Sequence, residues 1–265
     1  MSRYLRQPSF FIPHGGGPCF FMDDPRGIWT KMADFLRALP DSLPEKPRAI
    51  LIVSGHWETV GFAASDKAKP GLLYDYYNFP PHTYELTYPA PGDPALAEKA
   101  AALLNASGLH GATDATRDLD HGVFIPLKVA FPEADIPVVE LSIERRFDPA
   151  QHLSAGAALA PLRDEGVLIL GSGMSFHNMQ GYGDPRFTEP SQLFDEWLTQ
   201  AVTATAPERA QQLKSWAEAP AARLSHPREE HLLPLMVAAG ASQEPGKKVY
   251  SEIVLNTALS AFRFD

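Results

Sequence analysis

The stretch Ala49-Ile-Leu-Ile-Val-Ser-Gly-His56 decides the fold, because five apolar residues without polar alternation stop at Ser-Gly and a histidine. A strand with one wet face alternates apolar and polar side chains, whereas an unbroken apolar run bounded by turn residues suits a strand covered on both faces. Residues 9–13 repeat the design and end in His14, and residues 167–170 continue through Gly171-Ser-Gly-Met-Ser-Phe to His177. Residues 136–143 form a fourth run, and residues 249–255, rich in β-branched side chains, are expected as a late strand.

Segments of helical period separate these runs. Residues 27–39 place Ile28, Met32, Phe35, Leu36 and Leu39 on one face ahead of Pro40. Asp93-Pro94 and Asp148-Pro149 each read as an N-cap followed by a first-turn proline, opening helices expected to run to Ala106 and Arg163. The alternation predicts an α/β fold: a single catalytic domain over residues 1–265, with a central, mostly parallel sheet flanked by helices. Residues 67–91 have no sustained period and read as a loop. Tyr74, Tyr76, Tyr77, Phe79 and Tyr84 in it either wall a pocket or pack on one another.

Composition removes several classes of function. With 23 Lys and Arg against 32 Asp and Glu, a net charge of -9 and no basic cluster with interleaved aromatics, no nucleic-acid partner is expected. Cys19 is the single cysteine, which excludes an intrachain disulfide and a zinc site built from thiolates, so any metal is left to histidine and carboxylate. No apolar run reaches membrane-spanning length and the start of the chain does not read as a leader. A cytoplasmic protein without a membrane partner is expected, its oligomeric state open.

In an open parallel sheet, ligands bind beyond the carboxyl ends of the strands. His14 and His56 project there if their strands are neighbours, and His177 arrives a few residues after its own strand. One strand-end histidine is usually a hydrogen-bonded structural residue, but several in equivalent settings point to a metal. Gly15-Gly-Gly17 permits a sharp turn and close approach of the backbone, and the absence of a following Lys-Ser/Thr argues against a phosphate loop. In His226-Pro-Arg-Glu-Glu-His231-Leu-Leu-Pro-Leu235, Pro227 reads as the first turn of a helix, placing His231 inside it and facing inward. His226, about 140° away around such a helix, is left as a cap or a support, and Glu230 is expected on a different face. Imidazole and carboxylate ligands with open positions suit Fe(II), Mn(II) or Zn(II).

The segments His14-Gly-Gly-Gly-Pro-Cys-Phe-Phe, Ser54-Gly-His-Trp-Glu58, Tyr74-Asp-Tyr-Tyr-Asn-Phe-Pro, Tyr88-Pro-Ala-Pro-Gly92, Asp120-His-Gly122, Gly171-Ser-Gly-Met-Ser-Phe-His-Asn178 and Glu230-His-Leu-Leu-Pro-Leu235 together resemble the class III extradiol ring-cleavage dioxygenases. The nearest branch is the one like 4,5-DOPA dioxygenase. The resemblance implies a non-haem Fe(II) enzyme that opens a catechol beside its two hydroxyls with both atoms of O₂, Zn(II) being a metal the isolated protein would also accept. It implies His14, His56 and His231 as metal ligands and His177 as the acid/base group, close enough to the metal in some members to count as a ligand. His121 is expected either to hydrogen-bond the bound catecholate or oxygen, or to fix the turn before a helix. Arg117 and His82 are candidates to meet a carboxylate on the substrate. Two rivals stand beside this reading: a zinc hydrolase with the same ligands, and a metal- or aromatic-binding protein without turnover.

Overall fold

The computed structural model describes residues 4–265. Eight strands, β1 (Ser9–Pro13), β2 (Ala49–Thr59), β3 (Phe62–Ser65), β4 (Gly111–Asp114), β5 (Val138–Glu144), β6 (Val167–Gly173), β7 (Lys247–Val254) and β8 (Thr257–Phe264), form one sheet in the order β4-β3-β5-β2-β6-β1-β8-β7. The helices in chain order are α1 (Thr30–Ala38), α2 (Pro94–Ala106), α3 (His121–Ala130), α4 (Pro149–Leu159), α5 (Thr188–Thr203), α6 (Ala206–Lys214), α7 (Ala222–Ser225) and α8 (Leu233–Gly240). Among the described residues no helix is long and apolar enough to cross a membrane.

The sheet is mostly parallel, as its apolar runs predict. Strands β5, β2, β6 and β1 are all parallel and make its centre, and they are buried on both sides. Side chains alternate across a strand, so β2 feeds two cores at once. Leu51 and Val53 pack with Leu96 of α2, Leu153 and Leu159 of α4 and Leu235 of α8, whereas Ile50 and Ile52 pack with Leu36 of α1 and Val123, Phe124 and Leu127 of α3. Each such fully buried aliphatic side chain contributes roughly 1.5–3 kcal/mol.

The helix starts follow their caps. Asp93 accepts a hydrogen bond from the Leu96 amide at 3.0 Å and Asp148 one from the Ala150 amide at 2.8 Å. The second of these helices is α-helical only to Leu159 and tightens into a 3₁₀ turn over Ala160–Glu165.

The condition set for His14 and His56, that their strands be neighbours, is not met. β6 lies between β1 and β2, with Leu170 opposite Phe10 on one side and Ile52 on the other. Because all three are parallel, their carboxyl ends still emerge at one edge. β7 and β8 form an antiparallel hairpin turned by Leu255 and Asn256, both with positive φ (47° and 66°). That is the backbone of a primed hairpin turn without the Asn-Gly pair that usually announces one, which is why β8 has no counterpart in the sequence reading.

Candidate metal centre

At the shared edge, β1 hands over directly to His14, whose amide donates to the Gly173 carbonyl at 3.3 Å and so prolongs the β1–β6 ladder by one step. Gly15 and Gly17 follow with φ of 79° and 54° and turn the chain away above the ring. In β2 the pairing with β5 is broken between Val53 and Glu58. Ser54 holds this irregular stretch: its hydroxyl accepts from the His56 amide at 3.2 Å and donates to Asp120 Oδ1 at 2.9 Å. An interruption of this kind re-aims a side chain, and here His56 faces the cavity. Beyond β6, His177 is set by its amide, which donates to the Ser225 carbonyl at 2.9 Å.

His231 does not sit in a helix. Helix α8 starts only at Leu233, and the residues after His226 run as turns. The cause is a backbone contact: the His231 carbonyl accepts from the Met174 amide at 3.1 Å and crosses Gly173, where a Cβ would lie 2.1 Å from it. Engaged with the end of β6, this carbonyl is not available to a helix opened at Pro227. The expected angular separation of Glu230 from His231 lapses with it. Glu230 Oε1 accepts from His231 Nδ1 at 2.9 Å and from His177 Nδ1 at 3.1 Å, so this carboxylate joins two rings from different parts of the chain.

A second carboxylate comes from the aromatic loop. Asp75 Oδ1 lies 2.7 Å from His121 Nδ1 and 3.0 Å from the His121 amide at the first turn of α3, and Asp75 Oδ2 lies 3.7 Å from His56 Nδ1. Neither Asp75 nor the contact of Glu230 was read from the sequence. The first lay in a segment read only for its aromatics, and the second depends on a non-helical turn.

Five histidines thus converge. The His14 ring centroid is 5.0, 5.4 and 5.2 Å from those of His56, His121 and His231, and His177 stacks on His231 at 3.4 Å. Candidate ligand atoms of His14, His56 and His121 fall within 4.8 Å of one another, as do those of His177, Glu230 and His231. The two groups meet where His56 Nε2 and His231 Nε2 stand 3.2 Å apart.

The donor set fits a metal cation. His231 Nδ1 gives its proton to Glu230, so in the neutral ring Nε2 carries a lone pair directed at the centre. His14 is buried, and neither of its ring nitrogens has a hydrogen-bond partner. A buried imidazole in that condition is unfavourable until something takes its lone pair. Burial, followed by the proximity of His56, His121 and His177, holds the His14 pKa well below its ordinary value. Burial and the neighbouring histidines lower His231 in the same way, and His56 falls to about 4 through burial and His121, with Asp120 and Asp75 opposing. The rings are therefore neutral, the form that binds metal. Burial works against ionisation of Glu230, but the His177 hydrogen bond, its own amide and Arg228 outweigh it and keep the carboxyl below its usual range.

The cluster forms the floor of a cavity of about 350 Å³ walled by Trp29, Tyr76, Tyr77, Phe79 and Met174, among others. Tyr74 and Tyr84 do not reach it. Tyr74 donates to the Leu86 carbonyl at 2.6 Å, and Tyr84 packs behind Tyr76 with ring centroids 5.1 Å apart. Arg117 and His82 stay outside as well. Arg117 is held by Asp120 at 2.5 Å and Glu140 at 2.9 Å, two carboxylates out of solvent, and His82 Nε2 lies 3.0 Å from the Phe21 carbonyl on the surface. His226 is a support: it is buried against Phe194 and Trp216, and its Nε2 lies 2.9 Å from the Ser175 carbonyl beside His177.

Comparison with known proteins yields one family and a consistent set of relatives. Residues 8–263 match the family described as the catalytic LigB subunit of aromatic ring-opening dioxygenase. The chain is 39% identical over 258 residues to the dioxygenase tasH of Hapsidospora irregularis, covering 91% of this chain and 79% of that protein. It is 38% identical over 255 residues to a protein of Beta vulgaris named 4,5-DOPA dioxygenase extradiol (94% and 91% covered). A protein of Escherichia coli K12 with the same name is 34% identical over 245 residues (91% and 88% covered). The crystal structure of the uncharacterized protein JW3007 of E. coli K12 superposes with a TM-score of 0.78 at 30% identity, covering 98% of this chain and all of the other.

Proposed function

Because the chain belongs to the LigB family of catalytic subunits of aromatic ring-opening dioxygenases, it is a non-haem, metal-dependent extradiol dioxygenase, and we propose that His14, His56 and His231 hold its metal while His177 moves protons. The observation that carries the assignment is His14, buried with both ring nitrogens unpartnered beside the facing Nε2 atoms of His56 and His231. We take Fe(II) as the working metal and Zn(II) as one the same neutral ligand set accepts. The substrate is a catechol with a side chain, of the kind DOPA represents in the names of the relatives, together with O₂. Residues 1–265 act as one catalytic domain, in the cytoplasm.

When bound, the metal supplies Lewis acidity toward the two ring hydroxyls and a route for electron density from ring to O₂. The protein supplies orientation and protons. With Nδ1–H given to Glu230, His177 turns a basic Nε2 toward the cavity, accepts a hydroxyl proton from the substrate and returns it to the departing oxygen. The Glu230 carboxylate stabilises the imidazolium that exists between those two events, as a buried carboxylate beside a catalytic histidine does elsewhere. His121, oriented by Asp75 in the same manner, keeps an unprotonated Nε2 and accepts a hydrogen bond from a hydroxyl of the bound catechol. The aromatic walls exclude water and hold the ring flat.

A second reading is favoured by one observation, the grouping of His121 with His14 and His56 within 4.8 Å: His121 would then be a ligand. Metal content of His121→Ala separates the two, being retained in the first reading and lost in the second. The family sets aside a hydrolase and a binding protein without turnover. The test of the reaction is anaerobic reconstitution with Fe(II), then admission of O₂ to DOPA, dihydroxyphenylacetate, protocatechuate and catechol, following visible absorbance and oxygen consumption. A yellow ring-opened product with stoichiometric uptake is expected. Equal turnover with Zn(II) or without O₂ would sink it.

A further inference from the structure

Asp120 stands where a helix cap is expected and does not act as one. It precedes His121, the first residue of α3, and is fully buried, yet its side chain makes no capping hydrogen bond. An aspartate at this place normally accepts from an amide of the first helical turn. Asp75 takes the His121 amide instead, at 3.0 Å, and the Asp120 carboxylate is engaged by the Ser54 hydroxyl at 2.9 Å and by Arg117 at 2.5 Å.

Two serines grip the same turn. Ser54 of β2 and Ser172 of β6 are partners in register on adjacent strands, and both are fully buried. The Ser54 hydroxyl donates to Asp120 Oδ1 and the Ser172 hydroxyl donates to the Gly122 carbonyl, so the residues on either side of His121 are fastened to two central strands. The approach is close: a Cβ at residue 122 would lie 2.9 Å from His56 Cδ2, 2.9 Å from Ser54 Oγ and 3.1 Å from Asp120 Oδ1. The His56 and His121 rings are left with centroids 4.0 Å apart. Ser54 Oγ also accepts from the His56 amide at 3.2 Å, so one hydroxyl holds the backbone of one imidazole and, through Asp120, the residue before the other. None of these four residues lines the cavity, and any effect on its contents passes through the rings.

We infer that Ser54, Asp120, Gly122 and Ser172 are positioning residues, a buried clamp that sets the direction of the His56 ring toward the metal and its separation from His121. The inference rests on the reading of His56 as a metal ligand.

The test compares two variants with a matched control. Ser54→Ala deletes the hydroxyl, and Gly122→Ala drives a methyl against His56. Ser9→Ala is the control, because Ser9 is as buried and donates to the Ala238 carbonyl at 2.8 Å, but lies at the opposite end of β1 from His14. Each folded, metal-free protein is titrated without O₂ with Fe(II) and with Co(II) against a competing chelator, and the visible Co(II) bands, which report ligand geometry, are recorded. Urea unfolding of the metal-free proteins gives stability separately. Ser54→Ala and Gly122→Ala are expected to bind metal about 10–100-fold more weakly, the range for groups that orient ligating side chains, and to shift the Co(II) bands. Ser9→Ala is expected to lose stability and to keep the parent affinity and spectrum. Affinities of Ser54→Ala and Gly122→Ala within threefold of the parent, or an equal loss in Ser9→Ala, overturn the inference and leave the metal reading standing. Should Ser54→Ala not fold, Gly122→Ala decides by the same criterion. A parent protein that binds neither metal removes the ligand reading and the inference with it.

Discussion

His14 and His152 are the same residue at the same depth, and their surroundings are opposite. Both are buried, with 2% and 0% of their surface exposed. The His152 ring is fully paired: Nδ1 donates to the Asp148 carbonyl at 2.7 Å and Nε2 accepts from the Glu144 amide at 3.1 Å, which ties the start of α4 to the end of β5. The His14 ring has no partner on either nitrogen. Burial alone therefore does not mark a ligand. A buried imidazole already satisfied by backbone groups is structural, whereas one left open among other open imidazoles is poised for a cation.

The sharpest way to break this contrast is to make both rings apolar. His14→Leu is expected to abolish metal binding and ring cleavage, yet to leave the metal-free protein as stable as the parent or slightly more so, since it deletes an unsatisfied buried group. His152→Leu is expected to keep the metal and lose about 1–3 kcal/mol, because it strands the Glu144 amide and leaves the Asp148 carbonyl with only the bond from the residue 152 amide. Metal analysis together with urea unfolding of chelator-treated protein measures both. Equal destabilisation by the two substitutions would remove the distinction.

Next in size is His177→Ala, expected to hold metal at parent stoichiometry while turnover falls roughly 10²–10⁴-fold, the usual contribution of a general acid/base. Loss of metal in this variant would place His177 among the ligands. Glu230→Gln and Asp75→Asn are expected to cost about 10–100-fold in activity or metal affinity, as partners that orient ligating or catalytic rings generally do. Steady-state rates within threefold of the parent would make these carboxylates bystanders.

The smallest effect is on pH dependence. Burial pushes the His152 pKa down to about 4, against the Asp148 carbonyl, and burial pushes His226 down to about 3. Below the ordinary value near 6.5 the unfolded chain binds protons that the folded chain refuses. Stability is therefore complete above about pH 6.5 and falls as pH drops toward 4, by up to about 1.4 kcal/mol per pH unit for each histidine. Unfolding of the metal-free protein between pH 7.5 and 5 should show this slope, and His152→Leu should reduce it. A slope unchanged in that variant would mean the ring titrates normally in the fold.

Much of this was legible in the chain. Ala49-Ile-Leu-Ile-Val53 announced a strand buried on both faces, Asp93-Pro94 and Asp148-Pro149 announced helix starts, and the positions of His14, His56 and His177 after apolar runs announced a common rim. What failed depended on distant chain. Pro227 promised a helix through His231, but the end of β6 holds the His231 carbonyl and delays the helix to Leu233. Tyr74 and Tyr84 looked the same as Tyr76 and Tyr77 in a loop without period, yet only the latter pair reaches the cavity.

The sequence by itself determined the four central parallel strands, the two helix starts at Asp93-Pro94 and Asp148-Pro149 and the supply of imidazoles, because those follow from propensity, capping and apolar pattern within a few residues. Only the tertiary structure decided that β6 separates β1 from β2, that Glu230 and Asp75 grip the rings, and that the His56 and His231 nitrogens face each other. Strand order and the approach of one backbone to another across Gly173 are contacts between segments far apart in the chain, and no local pattern encodes them.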